Sequence, residues 1–157
     1  MTLTFQWEPM RRLLEEPNVG DLLRGHWEEC GLHKDKLPLD PDFARYVELD
    51  EAGLYRVWAA RDGDNLAGYV GWFVQRHLHH KTVLTAVADL LLLAPDYRRG
   101  MAGYRMFATA FDALRQLGVQ WVLCDTTLGF EAERGGLTKL FERLGFAKAG
   151  QLWSMVL

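Results

Sequence analysis

The stretch spanning residues 87–117, VADLLLLAPDYRRGMAGYRMFATAFDALRQL, constrains the fold more than any other part of the chain. Its apolar run at 90–94 lies between Asp89 and Pro95, the pattern of a strand covered on both faces. Pro95 has no N–H to give to a ladder, so the strand stops there. Beyond a basic loop, Phe107, Ala110, Phe111, Leu114 and Leu117 recur at helical spacing, and Gly118 supplies a C-terminal stop. The loop between them suits an anion. Arg98, Arg99, Gly100 and Gly103 lie where free backbone N–H groups and the positive end of a helix dipole converge. The glycines allow close backbone approach and the arginines offer charge-assisted hydrogen bonds to phosphate. Short glycine patterns also occur in ordinary strand-to-helix turns with solvated arginines, so composition alone leaves both readings open.

The order of residues narrows this. Ala94-Pro95-Asp96-Tyr97-Arg98-Arg99-Gly100, leaving a strand and entering a helix, resembles the core motif of the GNAT superfamily of N-acetyltransferases. In that family the loop grips the pyrophosphate of acetyl-CoA with Arg or Gln, two residues, Gly, one residue, then Gly or Ala. The aligned positions are Arg98, Arg99, Gly100, Met101, Ala102 and Gly103, so Met101 occupies the first glycine position, with Gly100 beside it. A second match, Leu140-Phe141-Glu142-Arg143-Leu144-Gly145-Phe146, is similar to the family's Leu-Tyr-Glu-x-x-Gly-Phe. There Phe141 replaces the tyrosine that protonates the leaving thiolate in many members; Tyr104 or Ser154 would have to substitute, or no acid is needed.

The resemblance implies one α/β domain, residues 1–157, with a mixed sheet flanked by helices. It implies acetyl-CoA as co-substrate, no metal, and an amine acceptor attacking directly in a ternary complex. The cofactor would be held by Arg98, Arg99, Gly100, Met101, Ala102, Gly103 and Tyr104. Backbone amides near Leu91, Leu92 and Leu93 would hold the pantetheine and thioester and stabilise the oxyanion.

Composition sets outer limits. With 157 residues, 49% hydrophobic content and six Trp, the chain has enough apolar surface for a core and is not of the disordered class. A net charge of −3 gives no general attraction to nucleic acid or anionic membranes. No apolar run reaches 18 residues, and the start MTLTFQWE lacks the basic and apolar regions of a signal peptide. Cys30 and Cys124 have no CxxC spacing, which reads as two reduced thiols in a cytoplasmic protein.

Along the chain, Leu3, Phe5 and Trp7 alternate as a first strand. Residues 10–16 suit a short helix, and a second helix begins near Asp21 and stops at Gly31. Asp40-Pro41 predicts a capped helix over 41–52. Strands follow at 54–60 and 66–78, joined by an Asp62-Gly63-Asp64-Asn65 hairpin turn; Gly68 and Gly71 suggest a bulge or close contact. Lys81 falls in the turn before the central strand. Residues 121–126 and 152–157 read as further strands, the last leaving a homodimer open.

An amine acceptor must lose a proton before or as it attacks. Asp89, beside buried leucines that would raise its pKa, is the first candidate base; the alternative is a strand-end Asp bonded to amides or paired with an arginine. His77-Leu78-His79-His80 is the second constellation, with His79 as a proton relay and His80 as an acceptor contact, against metal binding, for which spacing suggests no third or fourth ligand, or a solvated strand end. Trp27, Glu28 and Tyr46, with Glu29, would line a cationic acceptor site, or form a helix with a core Trp and an acidic edge. Glu131 and Glu133 are similar candidates. Trp27 to Glu29, Tyr46, His79-His80 and Asp89 together also resemble a group of GNAT-like proteins common in phages, which puts His79 and Asp89 on one pocket. The rival from another class is a non-catalytic GNAT-fold module binding acyl-CoA or a protein partner, suggested by Met101 and Phe141.

Overall fold

The computed structural model describes residues 2–126 and 136–156. Five strands form one sheet in chain order: β1 (Thr4–Glu8), β2 (Tyr55–Asp62), β3 (Asn65–His77), β4 (His80–Leu93) and β5 (Val119–Leu123). The first four are joined antiparallel and β5 lies parallel to β4, so the sheet is mixed. A parallel neighbour needs a crossover, and α4 (Ala102–Gln116) supplies it. The short helices α1 (Met10–Leu14), α2 (Val19–Cys30) and α3 (Phe43–Glu51) fill the β1–β2 connection, and α5 (Gly136–Arg143) follows β5.

Strand periodicity divides the core in two. Along β2, Tyr55, Val57 and Ala59 face Met10, Leu13, Val19 and Leu23 of α1 and α2. Trp58 and Ala60 face the opposite side, where Trp72 and Ala86 meet Phe107, Ala110, Phe111 and Leu114 of α4. The apolar stripe read on α4 is thus its buried face, except for Leu117, which is exposed. The β2–β3 turn is as expected, with Asp62 opposite Asn65 and Gly63 at φ 59°.

Four expectations need correction. The third helix begins two residues later than Asp40-Pro41 suggested, because the Asp42 side chain accepts from the Arg45 N–H and is the cap. Lys81 lies within β4, since the β3–β4 hairpin turns tightly at Leu78-His79 between paired His77 and His80. The central strand starts at His80, not beside Asp89, and Leu93 rather than Ala94 ends it. No strand forms among described residues after 146, and Trp153 is 86% exposed there. Apolar alternation makes a strand only where a neighbouring edge accepts its backbone, and among the described residues β5 pairs with β4 alone.

A buried ion-pair network ties β1 to β2. The Arg61 guanidinium donates from Nε to Glu8 Oε1 at 2.9 Å and from Nη2 to Glu8 Oε2 at 2.6 Å, and its Nη1 pairs with Glu16 at 2.6 Å. Burial pushes the Glu8 carboxyl up, but the hydrogen bonds and charge of Arg61 outweigh it and hold it below its usual 4.5.

Candidate active site

The site is opened by two departures from regular pairing, both at β4. Its ladder with β5 covers only Leu84 to Val87, because β5 ends at Leu123, the partner of Val87, while β4 runs on to Leu93. On that side no strand among the described residues pairs with β4 between Ala88 and Leu93, and alternate amides there face away from β3. On the other side, Gly71 pairs with Leu90 and Trp72 with Ala88, leaving Asp89 without a partner. Asp89 is therefore the extra residue of a β-bulge, a feature that re-aims side chains.

A cavity of about 440 Å³ lies along this part of β4. Ala88, Asp89, Leu90, Leu91 and Leu93 form its β4 wall, and Gly100, Met101, Gly103 and Tyr104 its far end. His26, Glu29 and Cys30 of α2, Asp125 just past β5, and Lys139, Leu140 and Arg143 of α5 complete the lining. Asp125 stands two residues beyond Leu123, the partner of Val87, just as Asp89 stands two beyond Val87. Both carboxylates thus line the cavity just past the last rung of the β4–β5 ladder.

Asp89 is exposed to this cavity, so the desolvated setting expected beside the leucines is absent: the bulge turns it out. Its Oδ2 accepts from Tyr55 Oη at 3.0 Å and Tyr46 Oη at 3.2 Å. Burial and the Asp89 charge raise both phenols, Tyr46 to about 12, so each stays a donor. Gly71 makes this possible, because a Cβ there would stand 1.8 Å from Tyr55 Oη. Gly71→Ala is expected to dislodge the Tyr55 hydroxyl and destabilise the fold by about 1–3 kcal/mol, checked by denaturant unfolding. Gly68 allows a similar approach, with its Cβ position 2.3 Å from the Leu92 carbonyl oxygen.

The loop residues divide. Leu91, Leu93, Arg98, Gly100, Met101, Gly103 and Tyr104 line the cavity; Leu92, Arg99 and Ala102 do not. Leu92 is buried, on the alternate side of the strand. Arg98 is already engaged: its Nη1 donates to Glu29 at 2.9 Å and its Nε to the Leu93 carbonyl, which ties α2 to the end of β4. Gly100 takes φ 63°, the left-handed conformation glycine allows, before α4 begins.

The histidine hairpin does not belong here. His80 opens β4 and His79 precedes it, nine and ten residues from Asp89, on the order of 30 Å along a strand. There His77 stacks on His80 at 4.9 Å and on Trp121 at 5.2 Å, and His79 donates its backbone N–H to His77. Trp27 and Glu28 also lie outside the cavity: Trp27 carries the Lys34 ammonium over its ring, and Lys34 donates to the Glu28 carbonyl. Tyr46 does not line the cavity but donates its hydroxyl to Asp89. Phe141 is buried against Phe107 and Phe146, Ser154 meets His33 at 3.2 Å, and Tyr104 alone of the alternative acids lines the cavity. Glu131 and Glu133 lie outside the described residues.

Sequence reading missed His26. It shares a face of α2 with Glu29 and Cys30 at i, i+3 and i+4, a polar edge beside the apolar stripe. Its ring lies 3.4 Å from Cys30 Sγ. Burial lowers His26 below its ordinary 6.5 despite the nearby Glu29 carboxylate. The unfolded chain therefore takes this proton first, and stability falls as pH drops below about 6.5. His26→Gln is expected to flatten that part of the melting-temperature profile between pH 7.5 and 5.5. Both thiols are free and pushed up, Cys30 by burial and the Glu29 charge, Cys124 by burial and Asp125 to about 12, so neither is an activated nucleophile. Among the described residues no group of His, Cys, Asp and Glu stands together as a metal site, and no helix is long and apolar enough to cross a membrane.

Comparison with known proteins agrees with this architecture. No curated protein sequence matches the chain. An aminoglycoside acetyltransferase from an uncultured soil metagenomic sample superposes with a TM-score of 0.76 at 13% identity, covering 100% of this chain and 99% of its own. A GCN5-related N-acetyltransferase from Ralstonia eutropha gives 0.75 at 16% identity, covering 99% of each chain. Glucosamine-6-phosphate N-acetyltransferase from Arabidopsis thaliana gives 0.69 at 12%, again over 99% of each. At such identities these likenesses establish the fold. The family model of the Acetyltransferase (GNAT) family matches residues 7–146. With nearly the whole length matched and the strand–loop–helix core in place, the chain belongs to the GNAT acetyltransferase family.

Proposed function

We propose that the protein is an acetyl-CoA-dependent N-acetyltransferase that transfers the acetyl group directly to an amine. The observation that carries this reading is the polarity of one cavity. Asp89 and Asp125 stand just past the last rung of the β4–β5 ladder, Lys139 and Arg143 stand beside the start of α4, and the part of β4 that no described strand pairs on that side lies along the wall. The donor set suits acetyl-CoA: cations and helix amides for phosphates, strand amides for pantetheine, and an apolar wall of Leu91, Met106 and Phe107.

An acceptor ammonium would dock against Asp89, whose charge is held in place by Tyr46 and Tyr55. The Asp89 carboxylate, directly or through water, collects the proton as the amine attacks. Amides of β4 beyond Val87 stabilise the oxyanion. The thiol of CoA, with a reference value near 8.5, leaves without needing the tyrosine that Phe141 replaces. His26, neutral in its buried setting, adds no positive charge to repel an ammonium.

Thiol release from acetyl-CoA with a panel of primary amines, spermidine and an aminoglycoside among them, tests this. The expected result is amine-dependent CoA release and a product heavier by one acetyl group. Tight CoA binding with no release for any amine would favour the rival, a non-catalytic acyl-CoA-binding module.

A further inference from the structure

Arginine 98, the cation that the loop motif would assign to phosphate, has its Nε on the Leu93 carbonyl and its Nη1 on Glu29. The charge needed at that end must come largely from elsewhere. Lys139 and Arg143 are one turn apart on α5, both line the cavity, and neither has an ion pair among the described residues. Like charges at i, i+4 repel and destabilise a free helix. Between them Leu140 reaches α4: a Cβ on Gly103 would lie 3.8 Å from Leu140 Cδ2. The two cations therefore flank the point where α5 touches the first turn of α4, whose free N–H groups open on the same cavity. The Arg143 guanidinium is set at 5.1 Å over the Tyr104 ring, which fixes its direction without neutralising it.

We propose that Lys139 and Arg143 recognise the phosphates of the acyl donor, taking over the electrostatic part of a role that Arg98 leaves for holding α2 against β4. This rests on the reading that the donor is acetyl-CoA. The pyrophosphate and the 3′-phosphate of CoA present the same chemistry, and the test separates them.

Calorimetric titration with CoA would compare the natural protein, the neutral double variant Lys139→Met with Arg143→Met, and the charge-keeping double variant Lys139→Arg with Arg143→Lys. The neutral variant is expected to bind roughly a hundredfold more weakly, about tenfold for each lost charge-assisted bond. The charge-keeping variant is expected to stay within about threefold of the natural protein, with both melting temperatures unchanged. Repeating the titration with dephospho-CoA locates the contact: a loss that persists assigns the pyrophosphate, and one that vanishes assigns the 3′-phosphate. A neutral variant that binds CoA as well as the natural protein overturns the proposal while leaving the donor reading intact. No binding by the natural protein itself, at two temperatures, overturns both.

Discussion

Asp89→Asn is expected to lower acetyl transfer by roughly 10²–10⁴-fold, the range for loss of a positioned general base. Asparagine keeps the shape and can still accept from Tyr55 and Tyr46, so the bulge and its two hydroxyl partners are retained. What disappears is the negative charge that, in the proposed mechanism, docks an ammonium and receives its proton. CoA binding should remain within a few-fold, because the phosphate end proposed above is built from residues beyond Leu93 and on α5, not from Asp89. Tyr55→Phe, which removes one of the two hydrogen bonds, should cost about tenfold. Steady-state thiol release with the best amine of the panel measures all three proteins. If Asp89→Asn keeps full turnover while His26→Gln loses it, the base is the imidazole on α2 and the assignment of Asp89 is wrong.

Arg61→Ala should destabilise the fold by about 3–5 kcal/mol, the effect of leaving a buried charge without its partner. Glu8 is 4% exposed and Arg61 3%, and the pair is bidentate with Glu16 as a third member. For a domain of this size that corresponds to a melting temperature lower by roughly 6–20 °C. Replacing both partners, Arg61→Met with Glu8→Leu, removes the stranded carboxylate and should recover most of the loss. The pH dependence follows from the direction of the Glu8 shift. A carboxyl held below 4.5 when folded contributes stability that is present above 4.5 and lost as pH falls through the folded value. The natural protein should therefore lose stability in acid more steeply than the Met–Leu variant. An Arg61→Ala protein as stable as the natural one would contradict this account of the β1–β2 junction.

The strand, basic loop and amphipathic helix of residues 87–117 were legible because each is local: apolar run, proline stop and helical spacing are read from neighbouring residues. The hairpin was legible in Asp62 to Asn65, whereas the second core face appears only once β2 sets Tyr55, Val57 and Ala59 against α1 and α2. The site was legible only in part. Asp89 was found as a residue type in a context, but the bulge that turns it outward depends on β3 register and on the space above Gly71. The histidines misled because sequence proximity to Asp89 becomes a long distance in an extended strand. His26 was hidden by its helix, whose polar edge looks the same whether it faces water or a cavity. The committed state of Arg98 required Glu29 to be brought 69 positions along the chain, which spacing cannot reveal. The last strand failed for the same reason: its pattern is local, but its partner is not.

The measurement that tests the central assignment most directly is amide hydrogen exchange with and without CoA. Binding in the cavity along β4 predicts slowed exchange for peptides covering Ala88 to Leu93 and Gly100 to Tyr104, and for Lys139 to Arg143. The His77 to His80 hairpin should exchange unchanged. Protection confined to the histidine hairpin, or none at CoA concentrations that saturate any binding seen calorimetrically, would contradict the placement of the donor site and the mechanism built on it.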